Sequence, residues 1–305
     1  QVPKIPLPYT EEHISYNNPE AEVTLSGTLT LPTSKGPFPA VVLVAGSGPI
    51  DRDETVFGHK PFLVLADYLT RQGIAVLRFD KRGCGKSTGN YDKATSQEFS
   101  DDVLAGVAYI KSRKEVNANQ IGLIGHSEGG VICPMVAAKS KDVAFIVLMA
   151  GPGVTGEEIL YEQNASIQRL AGGTEDTIKQ SRKFQEEMFM LVKREPDPQI
   201  VAEQLQEIAK KYMAALPEIQ DKLTLEYLKS LVARVNTEWF RYFLTFDPSV
   251  TLKQMQVPVL VLNGELDLQV SSKQNLAVIS RILEESGNKD FTTVELPKLN
   301  HFFQT

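Results

Sequence analysis

The chain has 305 residues, a length that α/β folds reach as one core with an insertion; 42% hydrophobic and 23% charged residues fit a globular protein with a sizeable core and exclude disorder. A formal charge of -6 offers no cationic surface for a polyphosphate backbone, which excludes nucleic acid as a partner, and no apolar run approaches the roughly 18 residues that span a bilayer. Only Cys84 and Cys133 occur, with no Cys/His cluster, so no metal site or disulfide framework is indicated; they read as idle thiols, with a single bridge as the alternative.

From Ala21 to Pro32 apolar and polar residues alternate, which predicts an amphipathic edge strand, and FPAVVLVAG at 38–46 predicts a buried one. Pairs of helix and short apolar strand follow: Pro61–Gln72 before IAVLRF at 74–79, then Ser96–Lys114 before QIGLIG at 120–125. A helix over Val131–Lys139 and a strand over Ala144–Met149 continue this βαβ pattern. Between Gly153 and about Asp247 strand signals vanish and charged segments of helical period take over, broken at Glu195-Pro-Asp-Pro198 and at Leu216-Pro217. A strand at Val257–Asn263, a helix at Ser271–Glu285 and an alternating strand at 291–297 close the series. The expected fold class is α/β, with antiparallel strands leading into a mostly parallel sheet flanked by helices. Residues 1–153 and 248–305 form the core and 154–247 a helical insertion, expected to cap a site because ligands bind at the strand ends of such sheets; the alternative is a solvated helical pack.

The strongest local signal is Gly125-His126-Ser127-Glu128-Gly129, which lies between the strand QIGLIG and the next helix. A serine on a sharp strand-to-helix turn needs small residues two positions to either side, because larger ones collide with the adjoining strand and helix. The helix N-terminus also favours negative charge developing beside the serine. A serine hydroxyl is a weak nucleophile, so a histidine base and an orienting carboxylate are required. Of His13, His59, His126 and His301, only His301 follows the last strand. In VPVLVLNGELDLQV the strand ends at Asn263-Gly264, leaving Asp267 as the acid and Glu265 in reserve. The expected catalytic residues are thus Ser127, Asp267 and His301, in the chain order of α/β hydrolases. The expected oxyanion donors are the backbone N–H groups of Glu128 and of Ser47, in the glycine-rich loop AGSGPIDRD. RFDKRGCGKSTG resembles a phosphate-binding loop only in part, since Asp80 stands where the pattern requires glycine; Asp80 and Arg82 are expected to brace a tight loop. Trp239, Phe240, Tyr242 and Phe243 cluster in the insertion, and Trp239, Phe240 and Phe243 are expected as an apolar wall for an acyl chain, against the alternative of plain core.

GHSEGG, FDKRGCGKSTG, AGSGPIDRD, NGELDLQV and PKLNHFFQ together resemble the bacterial α/β-hydrolase esterases related to dienelactone hydrolases and the serine-peptidase-like hydrolases, over about residues 22 to 305. The resemblance implies a carboxylesterase with a helical cap and agrees with the residues named above. AGSG stands where many relatives carry HGSG, and the chain stops four residues after His301, where a final helix is usual, which suggests a trimmed chain or a disordered tail. The expected activity is hydrolysis of a small-molecule ester with a short acyl group through an acyl-enzyme, with no cofactor. The alternatives are a thioesterase or serine peptidase on the same residues, and a non-catalytic binding protein of the same fold. The chain reads as soluble. Numbering starts at Gln1, so a removed upstream signal would leave no trace and a periplasmic or secreted location stays open. Oligomeric state has no signature.

Overall fold

A computed structural model of the chain describes residue 3 and residues 5–215 and 225–305. It divides into two compact units, one of Gln1–Gly153 with Pro248–Thr305, the other of Val154–Asp247. Among the described residues no helix is long and apolar enough to cross a membrane.

The first unit is built on an eight-stranded sheet: β1 (Tyr9–Asn18), β2 (Val23–Pro32), β3 (Phe38–Val44), β4 (Ala75–Phe79), β5 (Val116–His126), β6 (Phe145–Met149), β7 (Val259–Gly264) and β8 (Phe291–Leu296). Their spatial order is β1-β2-β4-β3-β5-β6-β7-β8. β1 with β2 and β2 with β4 are antiparallel, and every later pair is parallel. Parallel strands need helical crossovers, and helices covering both faces leave no face for alternation, hence the continuous apolar runs. On one face α1 (Pro61–Arg71) sets Phe62 and Ala66 against Val41, Leu43, Val76 and Ile124. On the other, Phe99 and Val103 of α2 (Ser96–Lys111) and Ile132 of α3 (Gly129–Lys139) meet Val44 and Phe79. Thr95 opens α2 with a reciprocal capping box to Glu98, which satisfies end groups that the helix itself cannot.

The N-terminal region differs from the expectation in two respects. Residues 9–18, which carry His13, form a strand, and this strand rather than β2 is the sheet edge. With a neighbour on either side and cover on both faces, β2 buries Thr28 and Thr30 along with Leu25 and Leu29. Its alternation is one of residue type, not of exposure. The two thiols are free and buried.

The second unit is helical: α4 (Gly156–Leu170), α5 (Glu175–Arg194), α6 (Pro198–Ala215), α7 (Leu225–Val235) and α8 (Glu238–Thr245). α5 ends and α6 begins at the proline pair around residue 197, because neither proline can donate the helical hydrogen bond. The expected break at Leu216-Pro217 lies outside the described residues. Thr155, Thr174 and Thr237 cap their helices through side-chain oxygens. Phe189, Val192, Val201, Leu205 and Leu244 are among the side chains of its own core.

Candidate active site

Ser127, Asp267 and His301 follow the carboxyl ends of parallel strands β5, β7 and β8, which is where such sheets place ligands. Ser127 stands directly after β5 with φ of 53°, a left-handed conformation in which side chains are strained. The strain is held from outside the turn by Ser127 N–H donating to the Met149 carbonyl of β6 at 2.9 Å, and within it by Gly130 N–H donating to the Ser127 carbonyl at 2.8 Å. The two flanking glycines are sterically required. A Cβ on Gly125 would lie 2.1 Å from the Gly129 carbonyl oxygen, and one on Gly129 would lie 2.0 Å from the carbonyl oxygen of Val44. The serine hydroxyl is half-buried and accepts or donates no hydrogen bond among the described residues.

Beyond β7, Asp267 Oδ1 accepts from the backbone N–H groups of Gln269 and Val270 at 2.8 and 2.9 Å. Its Oδ2 accepts from Asn263 at 3.2 Å and from His301 Nδ1 at 2.8 Å. A carboxylate can only accept, so this pairing puts the proton of neutral His301 on Nδ1 and leaves Nε2 as the unprotonated nitrogen. Glu265, the reserve acid, is directed elsewhere: its carboxylate accepts from Lys298 N–H at 2.8 Å and so fixes the loop that carries the histidine. Burial, aided by the positive charge of His126, holds the His301 imidazole below its ordinary value against the pull of Asp267.

His126, passed over as the base because it does not follow the last strand, is the link between these parts. Its Nε2–H donates to the His301 carbonyl at 2.9 Å and its Nδ1–H to Glu54 Oε1 at 2.9 Å, and its ring centroid lies 4.8 Å from that of His301. With both ring nitrogens facing acceptors, the imidazolium form is favoured; although burial opposes it, Glu54 raises its pKa. The residue beside Ser127 therefore grips the backbone of His301.

The loop after β3 meets the turn closely, since a Cβ on Gly46 would lie 3.2 Å from Ser127 Cβ. Gly46 N–H donates to Glu54 and Gly48 N–H to the Tyr91 hydroxyl, at 2.8 and 2.9 Å. Ser47 N–H, between them, is exposed and has no partner among the described residues. Below the loop, Lys81 donates to the Gly46 carbonyl at 2.6 Å and to Glu128 at 3.0 Å. Asp80 is bound by Arg52 and by Lys86 N–H, and Arg82 makes a two-pronged pair with Asp102, so this loop is braced by its own charges. Of the aromatic residues expected to line a pocket, Phe240 belongs to the insertion's core and the half-buried Trp239 packs against that core, while half-buried Phe243 stacks on Trp239 at 5.1 Å. Glu54, Lys81 and His126 went unread in the sequence, because each acts through partners distant along the chain.

A serine on a strained turn and a buried imidazole held by a carboxylate are the group types that nucleophilic catalysis requires. Residues 60–304 match the Hydrolase_4 family, described as serine aminopeptidase, S33. The chain is 29% identical to Esterase EstD of Thermotoga maritima over 97% of its own length, and spans about 60% of that relative. Among solved structures, the Pyrococcus furiosus esterase Pf2001 superposes with a TM-score of 0.61 at 19% identity, covering 95% of this chain and 84% of that one. Est1E from Butyrivibrio proteoclasticus with bound ferulic acid superposes at 0.56 with 17% identity, covering 95% and 92%.

Proposed function

The chain belongs to the Hydrolase_4 family of α/β hydrolases, and from that premise we propose that it is a serine hydrolase that cleaves carboxylic esters through an acyl-enzyme. In this reading His301 Nε2 takes the proton of Ser127 as the hydroxyl attacks the ester carbonyl. Asp267 stabilises the imidazolium through the Nδ1 hydrogen bond, and the N–H groups of Ser47 and Glu128 receive the oxyanion. The protonated histidine then expels the alcohol, and water, deprotonated by the same nitrogen, releases the acyl group and restores the serine.

The single observation that carries the proposal is the buried His301–Asp267 pair at 2.8 Å, anchored by the hydrogen bond of His126, the residue next to Ser127, to the His301 carbonyl. Esters are favoured over peptides because relatives along nearly the whole chain are esterases by name. The family description favours a second reading, a peptidase on the same residues. The helical insertion is proposed as a cap, and Trp239 and Phe243 as its acyl-contacting pair, on their chemistry alone.

A panel of nitrophenyl esters with a fluorophosphonate probe tests the proposal. The native protein should turn over short esters and be labelled at Ser127, and Ser127→Ala should lose both signals. Labelling without ester turnover favours the peptidase or a thioesterase, whereas no labelling favours a binding protein. Turnover at the native level in Ser127→Ala would defeat the catalytic reading.

A further inference from the structure

We propose that Lys81 is a positioning residue of the oxyanion hole: from beneath, its ammonium fixes and polarises the Gly46–Ser47 peptide, whose N–H faces the reacting carbonyl. The inference rests on the serine-hydrolase reading above. The carbonyl of Gly46 and the N–H of Ser47 belong to one trans peptide, so they point in opposite directions. Whatever holds the oxygen therefore aims the N–H. Lys81 Nζ holds it at 2.6 Å, with only 5% of the lysine side chain exposed.

The second contact of the same ammonium is a 3.0 Å ion pair with Glu128, whose own backbone N–H is the other proposed donor, and Ser96 donates to the second carboxylate oxygen at 2.7 Å. The remaining direction is covered by the ring of Phe99, whose centroid is 4.5 Å from Nζ. A single buried charge thus ties together the two segments that must present N–H groups to one oxygen atom. Glu54 on Gly46 N–H and Tyr91 on Gly48 N–H hold the peptides to either side, so the direction of the Ser47 N–H is fixed.

Position is one effect and electronics the other. A charge-assisted hydrogen bond to an amide oxygen draws electron density from the nitrogen and makes its N–H a stronger donor, and the low dielectric of a buried site preserves this effect. The gain is largest when the bound oxygen is fully negative, so Lys81 stabilises the transition state more than the ester.

Lys81→Met and the shorter, uncharged donor Lys81→Gln are the test, with rates expressed per Ser127 site titrated to completion with fluorophosphonate. Loss of a whole oxyanion donor lowers kcat on the order of a hundredfold or more, so loss of its polarisation is expected to lower kcat about tenfold in Lys81→Met and less in Lys81→Gln. KM should stay within about threefold, and affinity for a boronic acid that forms a tetrahedral adduct should fall in step with kcat/KM. Native kcat per titrated site, or a loss confined to KM, would overturn the proposal. Failure of both variants to reach a native circular dichroism spectrum would assign Lys81 to the fold alone and overturn it equally. Absence of ester turnover and labelling in the native protein would instead strike the parent reading, so the two failures are distinguishable.

Discussion

At the scale of single residues, the site is a set of groups each held in an unfavourable state by its neighbours. Ser127 is strained, His301 is buried, and His126 carries its charge in the interior beside Glu54. The burial of His301 has a kinetic consequence with a definite sign. In the proposed mechanism His301 must be neutral to accept the serine proton, and its proton affinity is lowered, so acid should inactivate it later than an ordinary imidazole. The acid limb of the kcat/KM profile should therefore inflect below 6.5, the ordinary value for histidine. An inflection above that value would contradict the environment described. Two of the three central residues could be read locally: Ser127 from the glycines its turn demands, and His301 from its place after the last strand. Asp267 was preferred to Glu265 from its spacing after the strand, and in the folded loop the shorter side chain faces the imidazole while the longer one accepts from Lys298 N–H. Glu54 and Lys81 could not be read. Glu54 meets His126 72 residues away, and Lys81 meets Gly46 and Glu128 35 and 47 residues away, and no pattern in a window of sequence encodes such pairings.

At the scale of elements, β5 and α3 act as one part, with a turn compressed so far that side chains at its flanks would overlap backbone. Gly125→Ala would drive a methyl group into the Gly129 carbonyl and toward Cys133 Sγ, which lies 2.6 Å from the added carbon. The nearer obstacle is backbone, so the strand or the helix must shift. The expected cost is about 3 kcal/mol in urea unfolding, with esterase activity lost along with the turn. A loss under ~0.5 kcal/mol, the range of an ordinary surface substitution, would mean that the turn relaxes freely. The buried parallel strands were legible because helices on both faces require unbroken apolar runs. β1 was not, because YTEEHISYNN sets its few apolar residues among charged ones, as an edge strand half in water can. Its pairing with β2 supplies what its composition lacks.

At the scale of the whole molecule, each of the two compact units has its own buried core. Leu205 is 1% exposed in the core of the helical unit. Leu205→Ala should cost about 2 to 5 kcal/mol, felt where the cavity lies. Amide hydrogen exchange should rise across 154–247 and keep the native protection of β3 to β7, because separate cores open separately. Uniform loss of protection would show that the chain unfolds as one unit.

The sequence by itself determined the alternation of strand and helix, the strained serine turn and the histidine after the last strand. Each of these is written in residues close together along the chain, through period, steric size and order. Only the tertiary structure decided the spatial order of the strands, the edge position of β1, the grip of His126 on the His301 backbone and the convergence of Lys81 on two separate loops. These depend on which distant segments become neighbours, and burial stabilises that choice collectively without marking it at any single position.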